Sequence, residues 1–305
     1  MESSERQHDT RRTKIESEIM KKLLPLLFFL GFINIVIAQK KEAFRIVNAK
    51  GHKVSYKKML KTAARADVVF IGELHDNPIA HWFEIELTKD LYDLRKGKLV
   101  LGAEMFERDN QQAVSDYVNG KINAKALDTL ARLWINFKTD YKPLLDFARK
   151  KHLPFIATNI PRRYASEIYH KGFAALDSLS DKEKTWIAPL PIAYDSTLSQ
   201  YVKMRNMIPG HHGANLPKAQ AVKDATMAYS IAENMKPGYL FIHYNGSYHS
   251  AFHQGIIWYL KRQKPAAKIV TIEVVSQENL KKLEPKYKHT ADFIIIVDSD
   301  MTKTY

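Results

Sequence analysis

Six short apolar runs recur along the chain, and helical patterns separate them. The runs are Asp67–Ile71, Leu99–Glu104, Pro154–Thr158, Tyr239–Tyr244, Lys268–Val274 and Phe293–Val297. Each is rich in Val, Ile or Phe and shows little polar alternation, the pattern of a strand covered on both faces. Between them, Pro78–Arg95 opens on proline and stops before Gly97, while Tyr141–His152 carries Leu144, Leu145 and Ala148 on one face. Leu216–Met235 and Ser250–Lys264 keep the same helical period. Strands alternating with helices predict a three-layer α/β/α domain with a mainly parallel sheet. Ala43–Val54 reads as a small hairpin turning at Lys50-Gly51, and residues 172–217 read as a helical cap insertion without strands.

A parallel sheet binds ligands beyond the carboxyl ends of its strands, so the strand exits are where chemistry is sought. The first run leads into Gly72-Glu73-Leu74-His75, and the second ends at Glu104-Met105-Phe106-Glu107. The third leads into Asn159-Ile160-Pro161-Arg162, and the fourth into His243-Tyr244-Asn245-Gly246-Ser247-Tyr248-His249. A sheet needs turn residues at its ends but has no structural need for histidine and glutamate there. Gly-x-x-His occurs after two strands, with glycine allowing a sharp exit and histidine following three residues on. These exits share one edge, so His75, His249, Glu73 and Glu104 are expected in one pocket despite their separation in sequence.

Such a set suits a divalent transition metal bound through nitrogen and oxygen, with Glu73 as ligand or general base. The blander alternatives are that His75 caps the next helix and that Glu104 pairs with Arg162. His249 and His253 stand four apart, on one face of the helix entered at Tyr248, with His249 the functional member and His253 an ordinary one. Gln220, Asp224 and Met227 share one face of Leu216–Met235 and suit a supporting role. Gly-Ser-Tyr-His is not the serine hydrolase elbow. Within the cap, Tyr194, Tyr201, Met204 and Met207 precede His211-His212. That segment suits a cover over a metal or haem, and equally a core-facing Met pair followed by a solvated loop.

The N-terminus carries a separate signal. Residues 1–19 are polar, whereas from Met20 two lysines lead into an apolar stretch, Leu23–Ile37, that ends in Val36-Ile37-Ala38. This is the pattern of a secretory signal peptide cleaved after Ala38, the stretch being shorter than the ~20 residues that span a bilayer. Residues 1–19 then read as an upstream extension and residues 39–305 as a single domain. The formal net charge is +14, and the six basic and five acidic side chains of residues 1–38 leave +13 on the mature chain. Nucleic acid is not expected as a partner of an exported protein, so the charge points to anionic or carboxylate-bearing ligands. The absence of cysteine excludes disulfides, zinc–thiolate sites, iron–sulfur clusters and a lipoprotein anchor.

Taken in order, Gly72-Glu73-Leu74-His75, Glu104-Met105-Phe106, Asn159-Ile160-Pro161-Arg162, Gln220–Ala228 and Asn245-Gly246-Ser247-Tyr248-His249 resemble the ChaN-like haem-binding uptake family. That family belongs to a superfamily with the Tiki metalloproteases and the erythromycin esterases. The resemblance covers about residues 55–265. It implies an α/β domain, export to the periplasm or outer envelope, and work in haem or iron acquisition with envelope transport components. It also implies haem held between two subunits of a homodimer, with a tyrosine on iron. Haem or an iron complex would then be the ligand, with Tyr194, Tyr201, Met204, Met207, His211, His212 and Arg162 around it. The superfamily relatives imply the alternative, a metal-dependent hydrolase using Glu73, His75 and His249, with Glu104 as a further metal ligand.

Overall fold

A computed structural model describes residues 42–207 and 211–305, with side chains of the latter segment described from residue 214. The proposed extension, the signal peptide and the side chains of His211 and His212 lie outside the described residues.

Seven strands form one sheet. They are β1 (Phe44–Asn48), β2 (Val68–Glu73), β3 (Leu99–Glu107), β4 (Phe155–Asn159), β5 (Leu240–Gly246), β6 (Ile269–Gln277) and β7 (Phe293–Asp298), in the order β1-β7-β6-β2-β5-β3-β4. Every pairing is parallel except β1 with β7. Each of the six sequence runs is one of these strands. The anticipated hairpin is reduced to an arm, since Val47 bridges Lys53 alone while β1 joins the sheet edge. Gly51 makes the turn at φ +88°.

Side-chain alternation builds two cores from these almost wholly buried strands. On one face Val69, Ile71, Leu99, Leu101, Ile242 and Tyr244 pack with α1 (Tyr56–Ala63), α2 (Pro78–Leu94), α3 (Gln111–Val118), α4 (Ala124–Leu130) and α5 (Lys142–Lys151). On the other, Val68, Phe70, Val100 and Phe241 pack with α8 (Ser199–Met207), α9 (His211–Asn234) and α10 (Ile256–Gln263). Two further helices, α6 (Arg162–Lys171) and the single-turn α7 (Asp181–Lys184), lead from β4 into the cap. α6 joins Leu176, Ile187 and Val222 in a third core, and among the described residues the cap region holds helices and no strand.

One helix is corrected. Ser250–Lys264 does not run continuously: two 3-10 turns, Ser247–His249 and Ala251–His253, precede α10. Phe252 and His253 take positive φ, as does Gly255, where an added Cβ would run into the His249 carbonyl. The backbone therefore reverses where a helix would have stacked His249 on His253.

Candidate functional site

The sheet changes winding direction between β2 and β5, its neighbours at the centre. β2 leads through α2 on one face toward β3, and β5 leads through α10 on the other toward β6. A crevice opens at such a switch point beyond the carboxyl ends. The pocket found there has a volume of about 660 Å3, within the range of small-molecule sites. Glu73, His75, Glu104, Arg162, Met204 and His249 all line it, so the strand exits do converge.

On the β2 side, Glu73 is buried and accepts hydrogen bonds at one oxygen. Its Oε1 lies 2.6 Å from His75 Nδ1 and takes the Tyr141 hydroxyl at 2.7 Å. Burial pushes the Glu73 carboxyl up, but His75 and His81 outweigh it and hold the group below the usual carboxylate range. His75 is raised above its ordinary value, Glu73 and Glu104 prevailing over burial. With Nδ1 committed to Glu73, its Nε2 lies over Gly246, where a Cβ would come within 2.7 Å of it. Trp134 packs edge-on against the imidazole at 4.9 Å between ring centres. His75 is not the helix cap: Asn77 is, accepting from the Ile79 and Ala80 amides.

On the β3–β5 side, His249 sits between two carboxylates. Nε2 is 3.0 Å from Glu104 Oε1 and Nδ1 is 2.5 Å from Asp224 Oδ1. Tyr201 donates to the other Asp224 oxygen at 2.7 Å, and the Gly246 amide donates to Glu104 Oε2 at 2.8 Å. Burial lowers His249, but Glu104 and Asp224 win and raise it to about 9. Burial raises Glu104, but His249 and His75 hold it down at about 2. Burial pushes the Asp224 carboxyl up. The arrangement is an imidazolium clamped by carboxylates, and both of its nitrogens are spent. Glu104 thus pairs with His249, and Arg162 stands exposed at the pocket rim.

The cap residues divide. Met204 lines the pocket. Tyr201 is only 1% exposed, with its hydroxyl committed to Asp224, and Tyr194 stacks on it at 5.8 Å. Met207 points to solvent, 54% exposed. His253 lies away from the pocket, its Nε2 3.5 Å from Asp292. The pocket tyrosines are instead Tyr248, 44% exposed beside His249, and Tyr305 at the end of the chain. Lys223 adds a second cation to the pocket lining, with Arg162.

The sequence reading also missed a layer behind His75. His81 Nδ1 lies 3.4 Å from Glu73 Oε2 and 3.4 Å from Glu84 Oε2, while His81 Nε2 is 3.0 Å from the His75 carbonyl. Among the described residues, Glu73, His81 and Glu84 are the group whose donor atoms lie within 4.8 Å of one another. The signal was present: His81, Glu84 and Thr88 fall on the stripe that Ala80, Leu87 and Leu91 define as inward-facing.

Fold and site together define an α/β protein with a polar, carboxylate–histidine crevice at the sheet's switch point. The sequence pattern of the haem-binding uptake family, ChaN, of the Tiki superfamily matches residues 59–260, and the chain belongs to that family. ChaN of Campylobacter jejuni, whose structure shows cofacial haem binding, is similar in fold at 19% identity and TM-score 0.63. That likeness covers 84% of this chain and 98% of the other. A Bacillus cereus protein aligns at 14% identity and TM-score 0.47, covering 79% and 90% of the two chains. An erythromycin esterase mutant in its open conformation aligns at 11% identity and TM-score 0.45, covering 77% of each. No curated protein matches.

Proposed function

We propose that this protein is exported, binds haem at the strand-end pocket and serves haem or iron acquisition. The observation that carries the reading, given the family, is Tyr248. It is the exposed phenol beside the His249 clamp, in a pocket that also presents Trp134, Met204 and two cations. A porphyrin asks for aromatic and aliphatic surface, a ligand for iron and positive charge for its propionates. Trp134, Ile160 and Met204 would meet the ring, Arg162 and Lys223 the propionates, and Tyr248 the iron. Buried Tyr201 is not free to do this without surrendering Asp224. Haem, when bound, supplies the redox and ligand-exchange chemistry of its iron.

The test is a hemin titration followed in the Soret region. Wild type should give a saturable shift, Tyr248→Phe should change its position, and Tyr201→Phe should leave it unchanged. No saturable shift, or a shift indifferent to Tyr248→Phe, contradicts the reading. The export arm is tested separately by intact mass of the secreted product, expected to begin at Gln39.

One observation favours a hydrolytic alternative. The Glu73–His75 pair holds an imidazole by Nδ1 and leaves Nε2 directed into the pocket, the arrangement of a general base. Under that reading Glu73→Gln would remove turnover of an ester or peptide while leaving hemin titration unchanged.

A further inference from the structure

Behind His75, one imidazole nitrogen and two buried carboxylates face one another, their atoms within 4.8 Å. His81 is held by its Nε2, which lies 3.0 Å from the His75 carbonyl and 3.4 Å from Asp140 Oδ2. Both neighbours of Nε2 are acceptors, so Nε2 keeps its hydrogen, and Nδ1 is the nitrogen that faces the carboxylates, where a metal ion would take the place of its proton. His81 Nδ1 faces carboxylate oxygens of Glu73 and Glu84, each 3.4 Å away. Glu84 and Glu73 are 0% and 1% exposed. Neither Glu73 Oε2 nor Glu84 Oε1 has a hydrogen-bond partner. Buried carboxylate oxygens are costly to leave unpaired.

The spacing suggests what satisfies them. A separation of 3.4 Å is long for a charge-assisted N–H···O bond, which closes to about 2.8 Å. It is the separation of two ligands on one tetrahedral ion, since bonds of ~2.1 Å put neighbouring donors about 3.4 Å apart. One nitrogen and two carboxylates, all on rigid elements, are the donor chemistry of Zn2+, Mn2+ or Fe2+. Glu73 sits at the end of β2 and lines the pocket, which gives an ion a route in, while His81 and Glu84 lie one turn apart on α2.

We propose that Glu73, His81 and Glu84 form a buried site for one divalent transition-metal ion, distinct from the His249 clamp and from the face that would meet haem. The ion would bind through Glu73 Oε2, leaving Oε1 to His75 and Tyr141. It would thereby fix the carboxylate that orients the pocket's imidazole, so the three residues position His75 rather than act on a ligand themselves. The site does not depend on the haem reading, and its test uses metal alone.

Full-length protein stripped with a chelator should be titrated with Co2+, whose visible d–d bands report ligand type and number. One equivalent should bind, with bands of a low-coordinate nitrogen–oxygen site and a rise in melting temperature. Glu84→Gln and His81→Gln should each lose those bands and at least tenfold in affinity, while His249→Gln should keep both. A stripped wild type that binds no Co2+, Mn2+ or Zn2+ overturns the proposal whatever the variants do. So does Co2+ retained by Glu84→Gln and His81→Gln but lost with His249→Gln. Either result would mean that a proton, not a metal, is shared among these groups. Hemin titration of the same samples reads the other site, so failure of one proposal is distinguishable from failure of the other.

Discussion

His249 illustrates how strongly individual residues of this site are committed. It is charged because two carboxylates flank it, and three residues earlier Gly246 lets the chain pass close beneath His75. The sign of its pH dependence follows from its folded value of about 9, above the ordinary 6.5. Its stabilising contribution is complete below pH 6.5 and is lost as pH rises through 9. The shift corresponds to something on the order of 3 kcal/mol. Urea unfolding of wild type and His249→Gln should show a stability gap that narrows by about that amount between pH 6.5 and 9. A gap constant across this window would contradict the clamp. Glu104, held near 2, acts at the other end: its contribution is present above pH 4.5 and fades as pH falls through 2. Gly246→Ala tests the neighbouring contact. Its Cβ would meet His75 Nε2 at 2.7 Å, so the imidazole must swing out. Ligand binding through the pocket should fall tenfold or more, with a stability loss of only about 1–2 kcal/mol, because a side chain rather than backbone gives way.

At the level of elements, the six parallel strands were legible because burial on both faces leaves an unmistakable run of Val, Ile and Phe, and the strand exits then gave Glu73, His75, Glu104 and His249. What the sequence hid has physical reasons. The segment after Gly246 keeps a helical period of apolar residues, yet its backbone is set by positive φ at Phe252, His253 and Gly255, which periodicity does not report. His81 and Glu84 do not stand out because Pro78–Arg95 declares itself by its end signals, the opening proline and the stop before Gly97, which do not say which polar residues turn inward. Tyr201 was expected at a ligand, but its hydroxyl is drawn inward by Asp224, a partner 23 residues on. Two substitutions probe these elements. Gly255→Ala forces a side chain onto a positive φ and against the His249 carbonyl, so it should cost more than the ~1 kcal/mol of an ordinary glycine replacement and disturb hemin binding as well. Asn77→Ala removes the α2 cap and should lower stability by about 1 kcal/mol in thermal unfolding. Because His81 and Glu84 ride on that helix, it should also loosen Co2+ binding.

Across the whole molecule, one charge balance bears on the kind of ligand the pocket can hold. The chain carries a formal net charge of +14, and an excess of that size raises the local concentration of anions around an open cleft. The pocket floor is nevertheless acidic, with Glu73 and Glu104 held as carboxylates by their histidines. The cations that a ligand can reach are Arg162 and Lys223 at the rim. The floor's carboxylates are thus paired with their imidazoles, while the rim cations are left to attract an anion. A ligand that suits both carries its negative charge at one edge and an apolar or cationic centre elsewhere, which describes iron porphyrin with its two propionates. The separation gives a specific prediction. Hemin should bind more weakly as salt rises, because Arg162 is exposed and Lys223 only partly buried, so salt screens both. Replacing Arg162 and Lys223 together with alanine should weaken hemin binding about tenfold and flatten its salt dependence. Hemin dimethyl ester, which lacks the propionate charges, should bind the wild type and this double variant alike. Equal loss of ester and free-acid binding in the double variant would show that the two side chains act by packing rather than by charge.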